Sequence, residues 1–261
     1  MTKSLLAAVS AAALFAAVSP AAAQVGQIGL NYGKTDVEAA GLDADGDAWQ
    51  VEGAAAFQGG TLNGQIEGSV TRFDADGDDA DVFSATGHLN TPVGAGYVGG
   101  FLGVQANDDA KLWGVGVEGK AQMQNVSLHG QLGYGRADDL DDVDFWSVRG
   151  EGRYFFADNF RVGASAGFSK ADGDGLDTDL YNLGLDAEYQ FAGTPVSVVG
   201  GYERGKWDDL DLTTDTFRIG VRYSFGGDLR ARDAAGVGQG SVSNLFGGTI
   251  GSALIAAAGE L

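Results

Sequence analysis

Residues 217–225 read Phe217-Arg218-Ile219-Gly220-Val221-Arg222-Tyr223-Ser224-Phe225. Large apolar side chains occupy every second position, and arginine, glycine or serine stands between them. Because successive side chains of a β-strand point to opposite faces, this pattern predicts a strand with one apolar and one polar face. The strict alternation does not fit the 3.6-residue period of an α-helix.

The same alternation recurs upstream, for example in residues 181–191, 160–169 and 62–71. The alternating segments are joined by acidic stretches and by short connections, and the two kinds of connection alternate along the chain. We expect six acidic loops, Asp36–Asp47, Asp74–Asp81, Asn107–Ala110, Asp138–Asp144, Asp172–Asp179 and Asp208–Asp215. We expect five short turns, Gly59–Leu62, Thr91–Gly96, Gln122–Val126, Ala157–Phe160 and Ala192–Pro195. These eleven connections would join about twelve antiparallel strands across residues 24–225.

Alternation alone would also suit a soluble β-sandwich, but three features favour a transmembrane barrel. The segments are about ten residues long, the length of a tilted strand across a bilayer. Aromatic residues gather at both ends of the segments, for example Trp49 and Trp146 near the acidic stretches and Phe156 and Tyr189 near the short turns. Long and short connections alternate, so the two ends of the molecule differ. In lipid such a sheet must close, because an open edge leaves backbone groups without partners.

Composition excludes several classes of protein. The chain of 261 residues has 44 glycines and no cysteine, so a disulfide scaffold and a cysteine-bound metal site are excluded. With 16 basic and 36 acidic residues it has a net charge of −20, which opposes binding to nucleic acid.

The first 23 residues have the pattern of a secretory signal peptide. Lys3 supplies a positive charge, an apolar run covers Leu5–Val18, and Ala21-Ala22-Ala23 provides the small residues of a cleavage site. The apolar run is shorter than the roughly 20 residues that a transmembrane helix needs. We therefore expect export, with cleavage after Ala23.

These features together resemble the porin-like outer-membrane β-barrels of Gram-negative bacteria, over residues 24–225. The stretch Arg222-Tyr223-Ser224-Phe225 is similar to the terminal strand of that group, which ends in an aromatic residue. The resemblance implies an outer-membrane location, long loops outside the cell and short turns in the periplasm. The chain departs from the group in one respect, because 36 residues follow Phe225.

The strand face opposite the apolar one would line the barrel interior. It carries many small residues and a mixed set of charges, which we predict to be lumen residues. They are Glu118, Lys120, Arg149, Glu151, Arg153, Arg161, Asp186, Glu188, Glu203, Arg218 and Arg222. We expect the arginines to face the acidic residues across a narrow polar channel. A paired ionic core that blocks flow is the alternative.

Basic residues mark the acidic end of all six hairpins, with the parity of the lipid face. They are Lys34, Arg72, Lys111, Arg136, Lys170 and Lys206. We predict that they bind phosphate or acidic sugars of the outer-leaflet glycolipid, although lysine and arginine also flank membrane spans by snorkelling. The acidic stretches are typical of solvated loops. Loose binding of Ca²⁺ or Mg²⁺ by their carboxylates is the more specific alternative. They lack the EF-hand spacing, and no cofactor or specific metal site is predicted.

An enzyme is not expected. The chain has two histidines, and Ser127 and His129 share the inward face of one strand. Residues two apart on a strand are about 7 Å apart, too far for a direct nucleophile–base contact. His88 has no obvious partner in the sequence. Catalytic residues are therefore not assigned.

Residues 226–261 change in composition. A charged stretch is followed by a Gly/Ser-rich stretch and by the apolar segment Thr249–Ala258, which could form a short helix. We expect a periplasmic tail, mobile by default, with folding back into the lumen as the alternative. The predicted function is passive diffusion of small polar solutes or ions. The rival is a non-conducting barrel that supports the envelope or binds cations or glycolipid. The oligomeric state stays open.

Overall fold

The computed structural model describes residues 25–39, 42–75, 78–107, 110–138, 143–173, 176–208, 211–238, 240–246 and 248. The predicted signal peptide, residues 1–23, and the apolar segment Thr249–Ala258 lie outside these residues.

The described chain forms a closed barrel of twelve antiparallel strands in sequence order. The strands are β1 (Val25–Ala39), β2 (Leu42–Gly59), β3 (Leu62–Ala75), β4 (Asp78–Val93), β5 (Gly96–Ala106), β6 (Lys111–Met123), β7 (Val126–Asp138), β8 (Val143–Ala157), β9 (Phe160–Gly173), β10 (Leu176–Gln190), β11 (Val196–Trp207) and β12 (Leu212–Phe225). The all-β barrel predicted from alternation is confirmed.

The barrel closes where the first strand meets the last. β1 pairs with β12 from Gly26 opposite Phe225 to Ala39 opposite Leu212. No strand of the described sheet therefore has a free edge. Closure satisfies the backbone hydrogen bonds that a bilayer leaves without water.

The outward face of the barrel is apolar, as the alternation predicts. In β12, Ile219 is 66% exposed and Phe217 59% exposed, whereas Thr216 and Ser224 point inward and are buried. Aromatic side chains pair along both rims. Trp113, Tyr134 and Trp146 form a row near the acidic end, and Tyr154, Phe156 and Phe160 form a row near the short turns. These two belts are typical of a barrel wall that crosses a bilayer.

The acidic segments differ from their predicted loop structure. β1 and β2 remain paired until Ala39 faces Leu42, so most of Asp36–Asp47 is strand. The same holds for Asp172–Asp179, where Gly173 faces Leu176. Acidic and uncharged residues alternate in these stretches, as in Asp43-Ala44-Asp45-Gly46-Asp47 and Asp177-Thr178-Asp179, so the period of two that is typical of a strand continues into water. The hairpins therefore project beyond the apolar band as a paired wall.

The described part of the tail, residues 226–238, 240–246 and 248, lies inside the barrel, not in the periplasm as the default expectation had it. Helix α1 (Leu229–Ala234) is followed by helix α2 (Val242–Leu245). Arg230 bonds to Asn125 and Asp158 at the short-turn rim. Phe246 packs against Leu112 and Ala137 near the acidic end. The chain therefore runs most of the length of the lumen, which is the fold-back alternative.

Among the described residues, no helix is both long enough and apolar enough to cross a membrane.

Candidate functional site

All eleven predicted lumen residues lie on the inward side of the wall. Glu118 and Lys120 are on β6; Arg149, Glu151 and Arg153 on β8; Arg161 on β9; Asp186 and Glu188 on β10; Glu203 on β11; and Arg218 and Arg222 on β12. Five of them are buried, namely Glu118, Lys120, Arg153, Arg161 and Glu188, and Glu203 and Arg218 line open space. Strand parity was thus sufficient to place these side chains, but it could not show what they contact.

Glu188 is the centre of one ionic cluster. Its two oxygens accept from Arg222 at 2.7 Å and from Arg161 at 3.2 Å, both on the wall, and from Arg232 of α1 at 2.6 Å. Ser197 also donates to Glu188, at 2.7 Å. With 2% of its surface exposed, Glu188 holds its charge through these donors. The tail thereby contributes a cation to an acidic position of the wall.

Asp233 is the centre of a second cluster, on the opposite side of α1. Its carboxylate lies 3.0 Å from Lys120 Nζ, 3.1 Å from Arg153 Nη1 and 3.1 Å from Gln122 Nε2. Arg153 also pairs with Glu151, which in turn accepts from Arg149 at 2.9 Å. Two adjacent tail residues of opposite charge therefore bind two different parts of the wall.

The charge of Asp233 is secured by its partners. Burial acts to raise the pKa of this carboxyl, but Arg153 and Lys120 outweigh burial and lower it to about 2. A lowered pKa means that the Asp233 carboxylate is charged at neutral pH and loses its charge only as the pH falls toward that value. The carboxylate therefore stays ionised through changes of pH around neutrality.

The lumen charges do not form the two opposed walls that the sequence predicted. Arg161 of β9 bonds to Asp186 of β10 at 2.6 Å, and Arg222 of β12 reaches past β1 to Glu52 of β2 at 2.7 Å, so arginines and acids are interleaved around the wall. Side chains on the same side of nearby strands are close enough to pair directly, which stabilises them better than separation across water. Glu52 also belongs to this set.

The tail has an apolar anchor at the acidic end of the lumen. Val242, Leu245 and Phe246 are buried against a cluster of inward-facing apolar residues. The wall part of this cluster comprises Val82, Phe101, Ala110, Leu112, Ala137, Val143 and Ala171. Sequence reasoning missed it, although apolar residues at inward positions of β6 to β9 were a visible signal that something apolar would cover them.

Part of the lumen stays open beside the tail. A cavity of about 190 Å³ is lined by polar side chains such as Asn31, Thr71, Glu203 and Arg218. The tail residues Ser241 and Asn244 form one side of it. The open part of the lumen is therefore mainly polar, and the tail narrows it.

The sequence model of Gram-negative porins matches residues 93–245, more than half of the chain. The chain belongs to the Gram-negative porin family. The match runs from the end of β4 through β12 and includes the tail as far as the end of α2. This membership confirms the resemblance seen in the sequence.

Solved structures share the fold of this porin at low sequence identity. An outer membrane channel from Pseudomonas putida F1 is 12% identical, with a TM-score of 0.60 over 78% of this chain and 94% of that chain. The translocator domain of the autotransporter NalP from Neisseria meningitidis is 16% identical, with a TM-score of 0.54 over 85% and 98%. No curated protein matches the chain.

The histidines of this porin occupy a buried polar cluster. His88 Nδ1 lies 3.0 Å from Glu118, and His129 Nε2 lies 3.5 Å from the same carboxylate. The expectation that His88 has no obvious partner is therefore wrong, because Glu118 reaches it from two strands away. Ser127 forms no hydrogen bond to His129 among the described residues, so the serine–base contact that a hydrolase needs is not formed there.

The six predicted glycolipid-binding cations point outward at the acidic end. They are Lys34, Arg72, Lys111, Arg136, Lys170 and Lys206, and all are exposed or partly exposed. Several already pair with carboxylates of the porin itself: Lys34 with Asp45 at 2.9 Å, Arg136 with Asp144 at 2.7 Å, and Lys206 with Asp208 at 2.6 Å. Most of the ring therefore consists of surface ion pairs and not of free cations.

The predicted loose Ca²⁺ or Mg²⁺ binding falls partly on residues outside the described ones, such as Asp76. In the part that the structure covers, no group of three acidic or histidine side chains is arranged to hold a metal ion. Asp45 and Asp47 are instead used by Lys34 and by the hydroxyl of Tyr32.

Gly114 offers a clean test of the apolar anchor. The nearest atoms to a Cβ added there all belong to the Phe246 ring, with Cζ at 3.1 Å and Cδ2 at 3.4 Å. Gly114→Ala should displace the ring at a cost of about 1–2 kcal/mol. We expect chymotrypsin to cleave after Phe246 about 5–30 times faster, because cleavage follows the population of displaced tail.

Gly33→Ala is the matched control, since Gly33 also faces inward and a Cβ there meets nothing closer than 3.6 Å. Equal cleavage rates in the two variants would contradict the anchor.

Proposed function

We propose that this porin is a passive diffusion channel of the Gram-negative outer membrane for small polar solutes or ions, and that its tail sets the width of the passage. The observation that carries this proposal is a closed barrel with a polar lumen, narrowed by a segment that is not part of the sheet. A twelve-stranded barrel lies between those filled by side chains and those with a wide aqueous channel. The segment that occupies the lumen therefore determines which solutes can pass through the barrel.

The contacts of the tail support a movable element. The tail adds no strand to the sheet, and the wall holds it through the Arg232 and Asp233 ion pairs and the apolar anchor. Its departure would leave the twelve-stranded ladder closed. The rival function, a non-conducting barrel that supports the envelope, is not favoured by membership in a porin family.

Removing the charges of Arg232 and Asp233 in the full-length chain tests this function. We expect Arg232→Ala/Asp233→Ala to raise the single-channel conductance in planar bilayers several-fold over the wild type. The ion pairs that hold α1 are lost, and water can solvate the wall charges that remain. Conductance is read from single-channel steps at fixed voltage and salt.

The control is Arg204→Ala/Asp215→Ala, which removes one opposite-charge pair, 3.7 Å apart, from the outer surface. It should conduct like the wild type. Silence of the folded Arg232→Ala/Asp233→Ala variant would contradict the channel function and favour the envelope-support role.

We also propose that the outer face binds outer-leaflet glycolipid at a site centred on Lys111. This lysine and Trp113 line an apolar groove of about 460 Å³ between β3 and β6, together with Ile66, Phe83 and Leu102. Lys111 forms no ion pair with any residue that the structure describes. A cation above an apolar groove complements a phosphorylated headgroup with an acyl chain below it.

Lys111→Gln should weaken binding of a phosphorylated outer-leaflet glycolipid about five-fold, since one surface cation contributes about 1 kcal/mol. Lys170→Gln is the control, because Lys170 already pairs with Asp177, and it should change binding less. Native mass spectrometry of the detergent-solubilised protein gives both affinities. Equal losses in the two variants would argue against a site at Lys111.

A further inference from the structure

The wall presents a ready-made set of donors to one carboxylate. Lys120 and Gln122 of β6 contact one oxygen of Asp233, and Arg153 of β8 contacts the other. The side chains of Lys120 and Arg153 are only 1% and 9% exposed. Two cations and an amide that converge on a planar two-oxygen group form a carboxylate-binding site. All of these donors belong to the barrel, and only the occupant belongs to the tail.

The ion-pair network that holds Asp233 carries more positive than negative charge. Within this network, Arg149, Arg153 and Lys120 supply three positive charges, and Glu151 supplies one negative charge. With Asp233 in place the local sum is +1, and without it the sum is +2. A lumen from which the tail had withdrawn would therefore attract an anion to this position.

The opposite wall of the lumen does not share this preference for an anion. Arg161 and Arg222 there face Glu52, Asp186 and Glu188, so withdrawal of Arg232 leaves a sum of −1. The excess positive charge therefore belongs to the network of Lys120 on β6 and of Arg149 and Arg153 on β8, which supplies the donors of Asp233.

We propose that Asp233 occupies a solute site, and that the carboxylate of a small organic acid competes with Asp233 for Lys120, Gln122 and Arg153 and so opens the passage. This inference rests on the proposed channel function and names its substrate class. The solute would bind only the state from which α1 has moved, and a ligand shifts an equilibrium by its differential affinity for the two states.

Competition with a tethered group sets the expected concentration range. A tethered carboxylate competes at an effective concentration in the millimolar range or above. The apparent affinity for the solute falls by the fraction of porin in the open state. The response should therefore require millimolar solute, which suits a diffusion channel better than a high-affinity receptor.

The test uses the full-length porin in planar bilayers with chloride as the carrier of current. Succinate is the probe, and succinamide is the neutral probe of the same carbon skeleton. We expect millimolar succinate to raise the open probability at least five-fold, and succinamide to change it less than two-fold. Equal responses to the two probes, or no response to succinate, would overturn the proposal.

Asp233→Asn separates the site from general effects on the tail. The variant keeps the shape of the side chain but removes the competing charge. We expect it to be open without succinate and to respond less than two-fold to it.

Asp228→Asn is the matched control. Asp228 caps α1 through its side chain, which accepts from the backbone N–H of Ala231, and asparagine caps equally well. This variant should respond like the wild type. A control that behaves like Asp233→Asn would overturn the proposal, because loss of any tail carboxylate would then suffice.

The two experiments together distinguish a failure of this inference from a failure of the proposed channel function. If Arg232→Ala/Asp233→Ala conducts and succinate leaves the wild type unchanged, the channel function stands and the carboxylate site is wrong. If neither protein conducts, the channel function itself is wrong.

Discussion

The pairing of β1 with β12 is the contact on which the rest of this structure depends. It joins the first described strand to the last and turns a twelve-stranded sheet into a wall without edges. Every backbone group of the wall then has a partner in the apolar part of the membrane. The outward side chains can be apolar and the inward ones polar, and a lumen exists that must be hydrated, filled with side chains or filled with another segment.

The tail fills this lumen in a way that leaves the barrel independent of it. Buried ion pairs gain little net stability, because both partners lose their hydration. The Arg232–Glu188 and Asp233–Lys120 pairs therefore fix the position of α1 more than they add to the stability of the barrel. When the tail withdraws, water can enter and solvate the same groups. Two states of the lumen can thus lie close in free energy while the wall stays intact.

Much of this architecture could be predicted from the sequence, because it follows from local rules. Alternation in strands such as Phe217–Phe225 specifies the faces, and the same parity placed Glu188 and Arg153 inside the barrel. The partners of these side chains depend on strand register and on a segment distant in sequence. Arg232 reaches Gln27 across 205 residues, and no periodicity encodes such a contact.

The tail was misplaced for a related reason. Its Gly/Ser-rich composition is typical of a flexible segment, and composition does not reveal a complementary surface. The inward apolar residues Leu112 and Ala137, with Gly114 where Phe246 is seated, indicated that something apolar covers them, but not which segment does so. The acidic stretches were expected as loops because charge suggests solvent, yet the strand ladder continues through them.

A disulfide between the tail and the wall tests most directly whether the tail controls the passage. The chain has no cysteine, and the backbone N–H of Val242 donates to Thr86 Oγ1 at 3.0 Å, so Thr86→Cys/Val242→Cys puts one cysteine on each side of a direct contact between tail and wall. The measurement is the single-channel current of this variant before and after a reductant is added. We predict that the oxidised variant stays at its low-conductance level and that reduction restores openings like those of the wild type. An oxidised variant that opens as often and as widely as the reduced one would contradict the account.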